Sequence, residues 1–527
     1  MALVEDPQSI GFVSRMLELT STDTPWNRRL WRSSTLRLAQ EVLDECVNPD
    51  LPESALKDIK SHFEQAMGTD PGIADRGKSV KKHLNDIKGG VSSASHSWIA
   101  LEAHLKRMHL DYLTNWASEF ENGRPVEVEG AARRITAHIL DAGYHKSSLY
   151  TWIRALQKES DDTTVADFLR AAGGRLALPE RDFTFCVPIS TIPPFVVAGG
   201  ASPGWLSAQE TREWKKSHAP NADSIRHQGA ILLTVKARDI NGAVDRVRAQ
   251  IFDLQTKFEL GARHPIRICD RMWSKDKKNA YGTQATDRII EVRTFELSGG
   301  IRELTTPDFI VSALALVQPL RTSPPHIAVM SGWSAIESLL VGVGDHPDVL
   351  AAGRFATIVA ASMIRAEFTQ LAWTYAEQFD DAVATQIKGC ADNVDRAKLF
   401  QMRACSSDIV FTRETDNLAL KRIKPALGDP RGALEKAQNI LRREFVRLYR
   451  KRNLIAHAGQ TQEQTLHSTT ETVSPLIGAG VDRVVYVGLK FGMKPIQLSA
   501  MLDARIPYLT PASASEPGNL LDLFEFA

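Results

Sequence analysis

Apolar residues recur at three- and four-residue spacing through the first ~175 residues and again from Thr306 onward. Between these stretches the spacing changes to alternation. That change of period constrains the fold more than any other feature of the chain. It predicts helical bundles at both ends and a small sheet-containing insert between them. At 527 residues the chain is too long for one core, and its 43% apolar and 24% charged residues exclude wholesale disorder.

In the first part, the periodic runs Leu36–Leu43, Ile99–Leu113 and Ile135–Leu156 are broken by loops at Pro49–Pro52, Gly68–Gly72, Gly89–Gly90 and Glu121–Pro125. Trp98, Trp116 and Trp152 fall in helical stretches and read as core or groove aromatics. After Gly173–Gly174, Phe183, Phe185 and Val187 alternate, and Pro188, Pro193 and Pro194 deny a long helix. Ala230–Val235 reads as a strand, Asn241–Phe258 as an amphipathic helix, and Ile266–Cys269 and Ile289–Phe295 as further strands. Trp273–Gln284, carrying Lys275, Lys277 and Lys278, reads as a flexible, unpatterned loop. From 307 the helical segments are 307–320, 325–341, 350–378, 393–405, 431–453 and a pair between 476 and 504.

The expected fold class is therefore α+β multidomain and mainly helical. It comprises a helical region at 1–178, a small α/β domain at 179–304, a helical bundle at 305–508 and a flexible tail at 509–527. Within that tail, Leu520–Phe526 is apolar enough to dock.

The formal net charge of +1 argues against a histone-like binder of nucleic acid but leaves room for a local basic patch. Five scattered cysteines, Cys46, Cys186, Cys269, Cys390 and Cys405, lack metal-ligand spacing and read as reduced thiols. Glu5 and Asp6 near the start do not fit a secretory leader. No uninterrupted apolar run reaches the ~18–20 residues of a membrane span. A soluble cytoplasmic protein without metal or cofactor is expected.

The most chemically loaded run is Arg452-Asn-Leu-Ile-Ala-His457. It closes a helix whose apolar stripe passes through Leu434, Ala437, Leu441, Phe445 and Leu448 and returns at Ile455. Arg452 occupies the intervening stripe position, where a guanidinium needs a carboxylate, carbonyl or phosphate opposite it. The same helix carries Arg442, Arg443, Arg447, Arg450 and Lys451, candidates for contact with an RNA backbone. His457 lies about 500° further round an ideal helix. It converges with Arg452 only if the helix bends or two copies meet.

Imidazole, which titrates within the physiological range, can move the proton of a 2′-hydroxyl or of a leaving 5′-oxygen. A guanidinium can hold the nonbridging phosphate oxygens as charge grows on them. Asn453 can orient the phosphate or cap the helix end. Such chemistry leaves DNA, without its 2′-hydroxyl, uncut.

Spacing alone discriminates poorly. With 40 arginines and 14 histidines, Arg-x-x-x-x-His occurs three times, at Arg133–His138, Arg321–His326 and Arg452–His457. Only the third has Asn after the Arg, three apolar residues and a preceding basic helix. On chemistry alone it admits catalysis, a structural helix-end cluster, or non-catalytic nucleic-acid binding.

The run Arg452-Asn-Leu-Ile-Ala-His457, followed by Ala458-Gly459, resembles the signature of HEPN-domain ribonucleases (the higher-eukaryote/prokaryote nucleotide-binding helical fold). Trp333-Ser-Ala-Ile-Glu337-Ser-Leu-Leu340 is similar to the first-half helix of the ApeA-like branch. The resemblance covers about 305–505. It implies a dimeric helical bundle that places two Arg/His pairs in one cleft. It also implies metal-independent cleavage of host or phage RNA, tRNA among the substrates, by a toxin of anti-phage defence answering a phage-derived trigger. By position it assigns catalysis to Arg452, Asn453 and His457, with Glu337 in support. The stretch 379–430 is longer than a minimal bundle needs, and the first 300 residues carry no resemblance. The alternative is a non-catalytic module for dimerisation or for binding nucleotide or RNA.

Gly72-Ile-Ala-Asp-Arg-Gly77-Lys78-Ser79 satisfies the phosphate-loop pattern, but His62–Met67 before it looks helical, where that loop requires a strand. An ordinary polar turn is the expectation. His96, His104, His109 and His138 lack zinc-ligand spacing and read as surface or packing histidines. Gly199–Gly204 reads as a flexible loop, and its Ser202 lacks the setting of an esterase nucleophile. Lys275–Lys278 reads as a solvated loop or an RNA-backbone contact.

Overall fold

The computed structural model describes all residues except 1–6, 49–50, 123–124, 160–163, 192–203, 262–265, 276–278, 286, 298–299, 303–305, 343–344, 346, 459–463 and 527. Pro193, Pro194, Ser202, Lys277, Lys278 and Gly459 thus lie outside the described residues. Helix dominates at 70% against 7% strand, so the sheet is a minor insert in a mainly helical α+β chain.

The first helices are α1 (Pro7–Thr20), α2 (Thr35–Cys46), α3 (Glu53–Met67), α4 (Gly77–Asp86), α5 (His96–Glu121), α6 (Val128–Asp141), α7 (Lys146–Glu159) and α8 (Val165–Ala177). The periodic run Ile135–Leu156 is split by a turn at Ala142–His145. Local chemistry starts several of these helices. The Ser34 and Ser95 side chains accept from the N–H groups of Arg37 and Trp98, and Thr164 forms a reciprocal capping pair with Asp167. The region has its own core, in which Phe12, Leu36, Val42, Phe63, Tyr112 and Trp116 are buried. Trp98 and Trp152 pack at its margin.

The insert contains β1 (Arg181–Thr191), β2 (Trp205–Ser207), α9 (Ala208–His218), β3 (Gly229–Ala237), α10 (Ile240–Gly261), β4 (Arg267–Ile268), β5 (Arg271–Ser274) and β6 (Ala280–Gly282). The strand order is β2-β3-β1-β5-β6, with β4 also on β1, and every described pairing is antiparallel. Alternation puts Phe185 and Val187 on one face against Val244, Val247 and Ile251 of α10, and Cys186 on the other beside Trp273.

Two expectations fail here. The Trp273–Gln284 loop is largely the β5–β6 hairpin, with Trp273 fully buried. Met272, Trp273 and Ser274 are buried in succession, so the strand shows no polar–apolar alternation to read. Ile289–Phe295 is not a strand. Ile289 has φ 52, Ile290 packs into the C-terminal core, Thr294 N–H donates to Asp482 at 2.8 Å, and a short helix α11 (Thr294–Leu297) follows. Bundle contacts here take the place of a sheet ladder.

The C-terminal bundle comprises α12 (Asp308–Thr322), α13 (Pro325–Leu340), α14 (Pro347–Gln378), α15 (Ala382–Gly389), α16 (Asn393–Ser406), α17 (Glu414–Ile423), α18 (Pro425–Gly428), α19 (Pro430–Ala458), α20 (Gln464–Phe491) and α21 (Pro495–Arg505). Val349–Gln378 is long and apolar enough to cross a bilayer, but 72% of its most apolar window is buried inside the molecule, as in a central core helix. Gly480 lets α20 approach it, since a Cβ there would stand 2.3 Å from Phe355.

The tail expected to be flexible is packed. Leu520, Leu521, Leu523 and Phe524 belong to the bundle core, Ala512 N–H donates to Leu427 at 2.8 Å, and Glu525 pairs with Arg365 at 2.7 Å. Seven residues with five apolar side chains bury enough surface to offset their ordering, despite the Ser/Ala/Pro-rich stretch before them.

Candidate active site at the end of α19

α19 starts cleanly because Pro430 fits a first helical turn and the Asp429 carboxylate accepts from Gly432 N–H at 2.9 Å. Its stripe behaves as the sequence reads. Leu434, Leu441, Phe445 and Leu448 are buried, and Ala437 and Ile455 pack against the same core. Arg452 therefore points toward the bundle, with its side chain 28% exposed. The carboxylate required opposite it is supplied by α13. Glu337 Oε2 lies 3.8 Å from Arg452 Nη2, a loose ion pair. Arg452 Nη1 donates to Asn453 Oδ1 at 3.0 Å, while its buried Nε has no hydrogen-bond partner among the described residues.

One turn earlier on both helices, the Trp333 and Tyr449 rings meet at a tilt, their centroids 4.8 Å apart. The two contacts climb α13 and α19 in the same sense and fix Glu337 against Arg452. α13 can sit this close to its neighbours because Gly332 meets Ile477 and Leu320, each 3.1 Å from where a Cβ would be.

His457 is exposed in the last turn. The helix continues through Ala458, so Arg452 and His457 leave its axis about 140° apart, on different faces. Arg452, Asn453 and Glu337 are thus brought together within one chain, and His457 is not.

The basic residues before the motif divide sharply. Arg442 is exposed and Arg443 half-buried, donating to Gln65 of α3. Arg447, Arg450 and Lys451, expected to face RNA, are buried against the N-terminal region. Arg447 Nη2 lies 2.6 Å from Glu41 Oε1, Arg450 Nε 3.3 Å from Glu45 Oε2, and Lys451 Nζ 2.9 Å from Glu45 Oε1. Glu41 and Glu45, one turn apart on α2, are completely buried. Their signal in the sequence is a carboxylate pair at the same one-turn spacing as the cations, but nothing local says that the two helices meet.

Burial alone would raise the Glu41 carboxyl; Arg447, Lys451 and Arg450 outweigh it and hold the group below its ordinary range. Glu444, on α19 itself, is pushed up to about 7 by burial, which Arg447 only partly offsets while Glu41 adds to it.

The other two Arg-x-x-x-x-His pairs have different surroundings. Arg133 is buried over the Trp31 ring at 3.7 Å and pairs with Glu129, while His138 lies buried against Tyr112 at 4.2 Å. His138 lines a cleft of ≈ 630 Å³ with Arg37, His109, Asp141 and Arg238, and no residue of the α19 motif lines it. Burial, with Arg37 next, lowers His109 to about 4. Arg321 is bound to Asp287 on the surface.

The phosphate-loop pattern falls on a short 3₁₀ helix at Pro71–Arg76 followed by α4, and α3 precedes it where a strand is needed. Comparison with family models, curated proteins and solved structures finds no match to this chain.

Proposed function

We propose that this protein is a metal-independent endoribonuclease of the HEPN type, acting on host or phage RNA, tRNA among the candidates, as a toxin of anti-phage defence. The observation that carries the reading is Arg452 itself. It is a cation on the inward stripe of α19, loosely paired with Glu337, with a buried Nε that lacks a hydrogen-bond partner among the described residues and an adjacent Asn453. An arginine so placed has donors left for a phosphate oxygen.

In the proposed reaction the 2′-oxygen attacks phosphorus as His457 takes its proton, and the bond to the 5′-oxygen breaks as the imidazolium so formed returns that proton, directly or through water, to the leaving oxygen. The products are a 2′,3′-cyclic phosphate and a 5′-hydroxyl. Arg452 and Asn453 bind the nonbridging oxygens, and Glu337 positions Arg452. Because Arg452 and His457 diverge on one helix, the reading requires a second copy of the bundle to complete the site. A homodimer is part of the proposal.

The same divergence, together with the covered basic face, favours the second reading: a non-catalytic bundle used for dimerisation or for binding nucleotide or RNA. The two separate in one assay. Arg452→Ala and His457→Ala, checked for fold and oligomeric state, are incubated with total cellular RNA in chelator. Loss of cleavage of about 10²-fold or more in each variant, with cyclic-phosphate ends in the wild type, supports catalysis. RNA decay at the same rate in all three proteins overturns it.

A further inference from the structure

Arg443, Arg447, Arg450 and Lys451 form one face of α19, bordered by Asn453, while Arg452 lies on the opposite, inward stripe. At 1.5 Å rise per residue, Arg443, Arg447 and Arg450 follow one another at about 4.5–6 Å along the axis, comparable to the phosphate-to-phosphate step along a single strand, with Lys451 beside Arg450. In the structure this face is met by carboxylates: Glu41 on Arg447, Glu45 on Arg450 and Lys451, and Asp58 of α3 on Arg450 at 3.5 Å. Gln65 takes Arg443 at the rim.

The joint is ionic rather than apolar. The N-terminal core and the bundle core are separate clusters, and Trp26 and Trp31 are the described N-terminal residues that pack on the latter. A buried ion pair adds little net stability because desolvation offsets its attraction, and both partners regain hydration when parted in water. A joint built this way is specific yet separable, and another polyanion can compete for its cationic side.

We propose that the α19 basic face is a binding surface for the phosphate backbone of single-stranded RNA, covered in this structure by α2, with Glu41 and Glu45 standing in for phosphates. Parting of this edge then opens the basic face to RNA beside Asn453. The inference rests on the ribonuclease reading for its meaning but not for its test, which reads binding and not cleavage.

The experiment uses the full chain in a His457→Ala background and a fluorescent single-stranded oligouridylate. Affinity is measured by anisotropy across a salt series. Glu41→Gln/Glu45→Gln is expected to bind about tenfold tighter, with a steeper salt dependence, since each further phosphate contact adds about 0.7 to the slope for single strands. Two rim variants remain informative if that pair does not fold. Asp58→Asn (its side chain 53% exposed) should tighten binding about twofold, and Gln65→Glu, adding a carboxylate opposite Arg443, should weaken it.

Unchanged affinity and slope in all folded variants overturns the proposal, as does a gain for polyglutamate without one for RNA. A gain in RNA binding here, with no RNA cleavage by the protein that keeps His457, sinks the nuclease and leaves this surface standing. A gain in cleavage when Glu41→Gln/Glu45→Gln is made in the protein that keeps His457, without a gain in binding here, does the reverse.

Discussion

Arg452 shows how much one residue depends on its place in a pattern. The chain has 40 arginines, but this one interrupts an apolar stripe and finds its carboxylate only as a loose pair on the neighbouring helix. Arg447, five residues earlier, is sealed against Glu41. The same side chain is available in one setting and consumed in the other. Gly72 gives the converse lesson. It fits a nucleotide-binding pattern, but a Cβ there would meet Tyr112 at 2.5 Å and Trp116 at 2.7 Å. Its smallness serves helix packing. Gly72→Ala is therefore expected to destabilise the protein by about 1–3 kcal/mol through overpacking, whereas Lys78→Ala, on the exposed start of α4, should stay within about 0.5 kcal/mol. Thermal or denaturant unfolding of the two variants checks the contrast, and a Lys78→Ala loss as large as that of Gly72→Ala would contradict it.

Among elements, α19 and the α2 helix packed against it carry opposing pH dependences. Glu444 is raised to about 7, above its unfolded value of 4.5. Between those values the native state holds more protons than the unfolded chain, so stability falls as pH rises through that window. Its contribution is intact below the lower value. Glu41, held low, works the other way and loses its contribution as pH drops below the ordinary carboxylate range. Glu444→Gln should remove the alkaline loss, which is on the order of 2 kcal/mol, leaving unfolding midpoints at pH 5.5 and pH 8 closer together than in the wild type. An unaltered difference would show that Glu444 is not its source. The C-terminal segment is a second element with a measurable role. Truncation after Tyr508 removes buried Leu520, Leu521, Leu523 and Phe524, each of which contributes roughly 1.5–3 kcal/mol by burial as an upper estimate. The melting temperature should fall by several degrees, and a shortened chain melting with the full-length protein would mean the tail is not part of the fold.

At the scale of the whole molecule, two apolar cores are tied by two charge networks. One is the α2–α19 joint. In the other, Arg28 Nε meets Glu367 at 2.6 Å and its Nη1 meets Asp416 at 2.7 Å, while Arg422 reaches back to Glu129 at 2.8 Å. Arg28 and Glu367 are both buried. Removing one partner strands the others, so Arg28→Ala should cost about 3–5 kcal/mol and, because it acts between the cores, should split a single unfolding transition into two. A small, uniform shift measured by calorimetry would place the coupling elsewhere.

The sequence alone determined the helical character of both ends, the β1 and β3 strands, the inward stripe of α19 and the position of Arg452 upon it. Those follow from the 3.6- and 2-residue periods, which are local. It also indicated that Arg452 needed a counter-charge, and Glu337 lies within ion-pairing reach. Tertiary structure decided which charge met which. Arg447, Arg450 and Lys451 looked like an exposed basic face because a run of like charges usually is one; their carboxylates lie some 400 positions away, and periodicity carries no information across that separation. The same reason hid the Ile289–Phe295 path across the bundle and where the apolar Leu520–Phe526 segment docks. A side chain's spacing fixes the face it shares, whereas its partner depends on how whole elements are stacked.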